Sequence, residues 1–221
     1  MKIVLIAATE KEISPFCSHF NIKPEFQFFP VENHEIMLKV TGPGIPNTLL
    51  SMLSDQSVVT ADLLVNIGIC GSFDYNLPLG TVVEISKDRF GDLGTETAEG
   101  EFIDIFEMQL QDKNTPPFND GWLKSTHVIK ETILPKKVGI TVQKVHGYSP
   151  SITKIKEKYH PDTESMEGAA FVLAAHKHGI PSLQIRSLSN YVEPRNRDNW
   201  QIDLAICSLN DFLIRDLWTI I

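Results

Sequence analysis

The chain has 221 residues, of which 42% are hydrophobic and 22% charged, a balance that builds a core and excludes wholesale disorder. A net charge of −8 opposes nucleic-acid phosphates and anionic membranes, so neither is an expected partner. The three scattered cysteines, Cys17, Cys70 and Cys207, form no CxxC pair and no run of about 18 apolar residues occurs, which excludes a zinc site, a disulfide framework and a spanning helix.

The pattern suits a cytoplasmic protein with no cofactor and no metal. The opening MKIVLIAATEKE is too short for a secretory leader with its cleavage site and reads as a first buried strand. Further strands are predicted at 36–40, 63–69, 81–85, 138–142 and 182–185. Their apolar runs are continuous rather than alternating, as in a sheet covered on both faces. Helices are predicted near 10–19, 45–54, 165–178 and 199–215. Gly179 and Pro181 stop the third, and Asp198 with Gln201 resembles a capping box for the fourth. Residues 88–135 are rich in turn formers and read as long loops with one edge strand, suited to a lid or a subunit contact. The order of elements implies one α/β domain over 1–221.

Polar clusters stand at the ends of these strands, where open α/β sheets place ligands. Glu12, after strand one, reads either as a general base or as an acid favoured by the start of a helix. TGPGIPN, residues 41–47, is a glycine turn that brings amides close to a ligand or merely turns the chain. In NIGICGS, Gly68 and Gly71 interrupt an apolar run, marking the approach of a ligand or of another backbone. Cys70 reads as a small core residue. Glu164 and Glu167 are three apart, placing both near one face of a helix start, either to bind sugar hydroxyls or to face solvent. The histidines, His146 among them, show no metal spacing and read as surface or capping groups.

In order along the chain, MKIVLIAATEKE, TGPGIPNT, NIGICGSF, ESMEGAAF and RSLSN resemble the purine nucleoside phosphorylase/hydrolase superfamily. That resemblance implies a three-layer α/β/α sandwich around a mixed, partly barrel-like sheet, and cleavage of an N-glycosidic bond by phosphate or water. In its nucleosidase branch the matching positions make Glu12 the residue that activates water, and Glu167 the one that binds ribose beside Met166. The same resemblance puts Thr9, Gly68, Ile69, Thr141, Val142 and Ser189 around the nucleoside. Asn66 stands where the bacterial phosphorylases carry an arginine, which favours water. Asn190 stands where adenine-specific members carry an aspartate. An amide donates to one acceptor while accepting from another, which suits hypoxanthine and disfavours adenine. KDRFGDLGTE with SNYVEPRNR is most similar to the futalosine hydrolases, a group that releases hypoxanthine from futalosine in menaquinone biosynthesis. Arg195 or Arg197 would then meet the carboxylate of the substrate, or else pair with Glu193 or Asp198. A homodimer is implied. Two other readings are a nucleosidase or phosphorylase for inosine, methylthioadenosine/S-adenosylhomocysteine or aminofutalosine, and a nucleoside sensor without turnover.

Overall fold

The computed structural model describes residues 1–23, 27–126 and 134–221. Strand β1 (Lys2–Ala7) and helix α1 (Glu10–Phe20) precede a hairpin of β2 (Phe29–Val31) and β3 (His34–Val40). Helices α2 (Ile45–Ser54) and α3 (Gln56–Val59) lead into the long strand β4 (Leu63–Ser72). Next come β5 (Val82–Asp88), a small hairpin of β6 (Gly94–Glu96) and β7 (Phe102–Asp104), β8 (Leu123–Lys124) and β9 (Lys136–Thr141). The rest is α4 (Ser149–Tyr159), β10 (Thr163–Ser165), α5 (Gly168–His178), β11 (Ser182–Tyr191), α6 (Ile202–Arg215) and α7 (Leu217–Ile220).

The main sheet runs β10-β9-β5-β11-β4-β1-β3-β2, with parallel and antiparallel neighbours. Its covering follows from the alternation of side chains along each strand. Ile3 and Leu5 of β1 point into a cluster with Ile13 and Phe16 of α1 and Leu209 and Leu213 of α6. Val4 and Ile6 point the other way, towards Met52 of α2 and Phe171 and Val172 of α5. Both faces are apolar because both are covered, which is why these strands read as unbroken runs. The result is the expected three-layer α/β/α architecture with a mixed central sheet.

Two features of the sheet make room for a site. β10 pairs with both β9 and β4, so β4, β11, β5, β9 and β10 close on themselves into a small barrel. β1 and β10 share the edge of β4 opposite β11. β1 accompanies β4 as far as Asn66, and β10 joins it at Gly71. Between them, residues 67–70 have no strand on that edge, and their backbone groups are free for side chains.

Several boundaries differ from the sequence reading. β11 runs on through RSLSN to Tyr191, paired with β4 and tied to it by Ser189 Oγ, which donates to Cys70 O at 3.1 Å. α5 starts at Gly168 rather than 165, since residues 163–165 are held as β10; Glu164 is therefore on a strand and Glu167 caps the helix. The Asp198–Gln201 capping box does not form. Asn196 instead accepts from Asp198 N at 3.1 Å in a short turn over 197–199, and α6 begins at Ile202. The 88–135 stretch holds the β6–β7 hairpin and β8 where one edge strand was expected, with residues 127–133 outside the described set. Helix α4 was not expected; it starts at Ser149 with Pro150 in its first turn and buries Ile152, Ile155 and Tyr159.

Candidate active site

Thr9 ends β1's connection in an extended conformation, so α1 opens with Glu12 in its first turn. The Glu12 carboxylate folds back, Oε2 accepting from Thr9 N at 2.9 Å and from Thr9 Oγ1 at 3.0 Å. Its Oε1 accepts from Ile69 N at 3.1 Å, on the open edge of β4. Glu12 is thus a helix-start acid and also a buried one, only 6% exposed. Burial raises its pKa, and the neighbouring Glu167 adds to the rise. The Arg186 charge and the Ile69 and Thr9 hydrogen bonds pull against it.

Arg186 lies on β11 opposite Gly68 of β4, and a side chain at Gly68 could not coexist with it. A Cβ there would stand 2.3 Å from Arg186 Nη1 and 2.7 Å from Glu12 Oε1. Arg186 is fully buried and held from two sides: Nε donates to Gln184 Oε1 at 3.1 Å, and Nη2 donates to Asn66 Oδ1 in a short contact. Asn66 in turn donates to Ile6 O at 2.9 Å. The remaining nitrogen, Nη1, has no hydrogen-bond partner among the described residues and lies 3.9 Å from Glu167 Oε2. Glu167 is anchored by its other oxygen, which accepts from Gly44 N at 2.9 Å. Gly44 belongs to the 41–47 turn and has φ 89, a backbone that glycine adopts without strain. Glu12, Arg186 and Glu167 therefore converge above Gly68, with an unpaired guanidinium nitrogen between two carboxylates. A buried donor left unpaired costs about 1–3 kcal/mol, so this nitrogen calls for a small polar guest.

Behind the cage stands Asp88, fully buried, accepting from Thr141 Oγ1 at 2.9 Å and Gln184 Nε2 at 3.1 Å. Desolvation pushes its carboxyl up to about 6, against those hydrogen bonds and the Arg186 charge. Thr141 also receives the Ala169 amide of α5 at 2.7 Å, and Val142 packs with Phe73 and Ile152. Both are the residues expected to line the nucleoside; in the structure the Thr141 hydroxyl is bonded to Asp88 and Ala169 N, and Val142 is buried. Cys70 is the small core residue expected, its thiol pushed up to about 12 by burial.

At the end of β11, Asn190 Nδ2 donates to Tyr191 O at 3.0 Å, and its Oδ1 lies 2.8 Å from Ser189 Oγ. Met166 is half-buried beside Glu167. A cleft of about 960 Å³ opens between residues 91–102 and 144–158, with Arg195 on its wall; Asn190, Glu12 and Glu167 do not line it. Arg195 lies over the Trp200 ring at 5.0 Å and Arg197 at 5.9 Å; neither makes an ion pair with Glu193 or Asp198. His146 is not a surface group: its Nδ1 pairs closely with Glu164, which is 4% exposed rather than solvated.

Sequence reasoning missed Arg186 as a site residue. Its signal was an arginine inside the apolar strand IPSLQIRSLS, a place that requires buried counter-charges.

A sequence profile described as the Phosphorylase superfamily matches residues 2–208. A futalosine hydrolase of Streptomyces coelicolor is 32% identical over 155 residues, which is 68% of this chain and 63% of that relative. An aminodeoxyfutalosine nucleosidase of Campylobacter jejuni is 26% identical over 202 residues, 86% of each chain. Among solved structures, a 5′-methylthioadenosine/S-adenosylhomocysteine nucleosidase from Neisseria meningitidis, in complex with methylthio-immucillin-A, overlays with a TM-score of 0.78 at 16% identity, covering 96% of both chains. The native futalosine hydrolase of Helicobacter pylori strain 26695 overlays with a TM-score of 0.77 at 15% identity, covering 96% of this chain and 95% of that one. At such identities the overlays speak to the fold. The relatives carry the names of hydrolases and nucleosidases, and with the profile spanning nearly its whole length the chain belongs to the Phosphorylase superfamily.

Proposed function

We propose that this protein hydrolyses the N-glycosidic bond of a 6-oxopurine nucleoside, with futalosine as substrate and hypoxanthine as leaving base. The observation that carries the reading is the convergence of Glu12, Glu167 and the unpaired Nη1 of Arg186 above Gly68. That cage suits a water molecule: Nη1 donates to its oxygen while Glu12 accepts one of its protons. As the C1′–N bond breaks, Glu12 takes that proton and the oxygen attacks C1′. A base with a raised pKa is better matched to neutral pH than an ordinary carboxylate. Glu167 accepts from the ribose hydroxyls, and its charge stabilises the cationic sugar of the transition state.

Water is favoured over phosphate by Asn66, which is buried and engaged with Arg186 and Ile6 O. Two carboxylates in the cage would also repel a phosphate dianion.

Asn190 gives the reading its substrate. Tyr191 O takes one hydrogen of Nδ2, and the second is left for O6 or N7 of a departing base. A 6-amino group would face that donor with its own hydrogens, a mismatch of about 1–3 kcal/mol, roughly 10- to 100-fold in rate. The match to a futalosine hydrolase supports the same substrate. Arg195, on the wall of the cleft and free of ion pairs among the described residues, is available to the carboxylate of futalosine. Arg197 is not on that wall.

The test is Asn190→Asp. The unaltered enzyme should favour futalosine over its 6-amino counterpart by about 10-fold or more in kcat/KM, and the variant should cut that ratio by at least about 10-fold. An unchanged ratio would remove Asn190 from the recognition of the base.

A further inference from the structure

One polar pair beside the cleft has no part in the chemistry above: His146, which lines it, and the buried Glu164 behind it. Its position is fixed by three strands. Glu164 on β10 pairs with Gly71 on β4, and Gly71 pairs on its other edge with Asn190 on β11. The three form one row, so Glu164 and Asn190 flank a residue without a side chain, roughly 10 Å apart at two strand spacings. Gly71 must stay bare, since a Cβ would stand 2.8 Å from Val192 Cγ2 and 3.2 Å from Asn190 Nδ2. The gap above it is bordered by the Asn190 amide on one side and by the group that Glu164 holds on the other.

That group is the imidazole of His146. Glu164 Oε1 accepts from His146 N at 2.9 Å, and Oε2 pairs with Nδ1. In the neutral ring, a carboxylate on Nδ1 selects the tautomer with its proton on Nδ1, which leaves Nε2 as an acceptor. The ring lines the cleft, and Nε2 has no hydrogen-bond partner among the described residues. The chain leaving Asn190 returns to the same loop, where Arg195 N donates to Gly147 O at 3.1 Å.

Given the 6-oxopurine reading above, on which this inference rests, we propose that His146 is a second specificity-determining residue, with Nε2 accepting the N1–H of the base while Asn190 donates to O6 or N7. Around the edge of hypoxanthine, O6 is an acceptor and N1–H its neighbouring donor. Asn190 and His146 present the complementary donor and acceptor. Adenine has a bare N1, and two lone pairs facing each other are repulsive, so both residues discriminate in the same direction. Glu164 is a positioning residue that acts through His146.

The test compares hypoxanthine and 1-methylhypoxanthine as inhibitors of nucleoside hydrolysis by the full chain. The unaltered enzyme should bind hypoxanthine at least about 10-fold more tightly, the worth of one buried hydrogen bond. His146→Phe, similar in bulk but without the acceptor, should bring the two within about 2-fold, and Glu164→Gln should narrow the gap by releasing the tautomer. Equal inhibition of the unaltered enzyme would overturn the inference whether or not the variants fold. So would a ratio that persists in folded His146→Phe, because steric exclusion of the methyl group would then explain it. If the enzyme hydrolyses 6-oxopurine nucleosides in either of those cases, only this inference falls. If it acts on 6-aminopurine nucleosides alone, the substrate reading falls and takes this one with it.

Discussion

Glu12→Gln is expected to lower kcat by about 10²- to 10⁴-fold, the usual worth of a general base, while KM stays within a few-fold. The amide cannot take a proton from water, but its oxygen still accepts from Ile69 N or from Thr9, so the shape of the cage is kept. The substitution also weakens the start of α1, because Oε2 receives both Thr9 N and Thr9 Oγ1 and only one amide oxygen remains. That loss is about 0.5–2 kcal/mol of stability, to be read from a thermal melt beside the kinetics. A variant that turns over normally would reduce Glu12 to a helix-capping acid.

Arg186→Met is the second large effect. Methionine roughly fills the volume but leaves Glu12 and Glu167 facing each other without the guanidinium, and Asn66 Oδ1 and Gln184 Oε1 without their donor. The Arg186 charge is the largest influence holding the Glu12 pKa down, so its removal lets burial and Glu167 push it further up. The sign follows: a higher pKa leaves less of Glu12 ionised at a given pH, and a protonated base cannot act. We expect the acidic limb of the kcat/KM profile to move to higher pH, as the loss of the Arg186 charge dictates. Turnover on the acidic side of the profile should fall as the ionised fraction of Glu12 shrinks, with a further loss from the missing donor to water. A fall in rate with an unmoved limb would make Arg186 a mere strut. Removing one partner of a buried charge cluster also costs about 3–5 kcal/mol, so a lower melting temperature accompanies the change.

The sheet was legible because its signal is local. β1, β3, β4, β5, β9 and β11 each carry an apolar run that must be buried wherever the chain goes, and α1, α2 and α6 announce themselves through turns and periodic stripes. Helix α4 carries only a thin stripe: in SPSITKIKEKY the apolar positions are Ile152, Ile155 and Tyr159, at helical spacing but on an otherwise polar helix. The ESMEGAAF stretch misled for a different reason. Spacing of three is helical only if the backbone is, and there the first residues are held straight by pairing with β9 and β4.

For the site, Glu12, Glu167 and Asn190 were reached through motifs, and those motifs gave residue types without neighbours. What lateral register adds is neighbours: Arg186 opposite Gly68, and Glu164 and Asn190 on either side of Gly71. A register across three strands leaves no mark in any one of them. Arg186 and Asp88 are significant only once the strands are side by side, and so they were passed over, while Glu164 and His146 were noted without being paired. Thr141, a polar residue at a strand end, has its hydroxyl engaged with Asp88 and the start of α5.

The most direct measurement follows free base released from futalosine and from its 6-amino counterpart, each with and without phosphate. The account predicts hypoxanthine release at the same rate in both buffers, a free sugar hydroxyl at C1′ of the product, and slow release from the 6-amino substrate. Release that requires phosphate and yields a sugar 1-phosphate, or that is as fast from the 6-amino substrate, would contradict it.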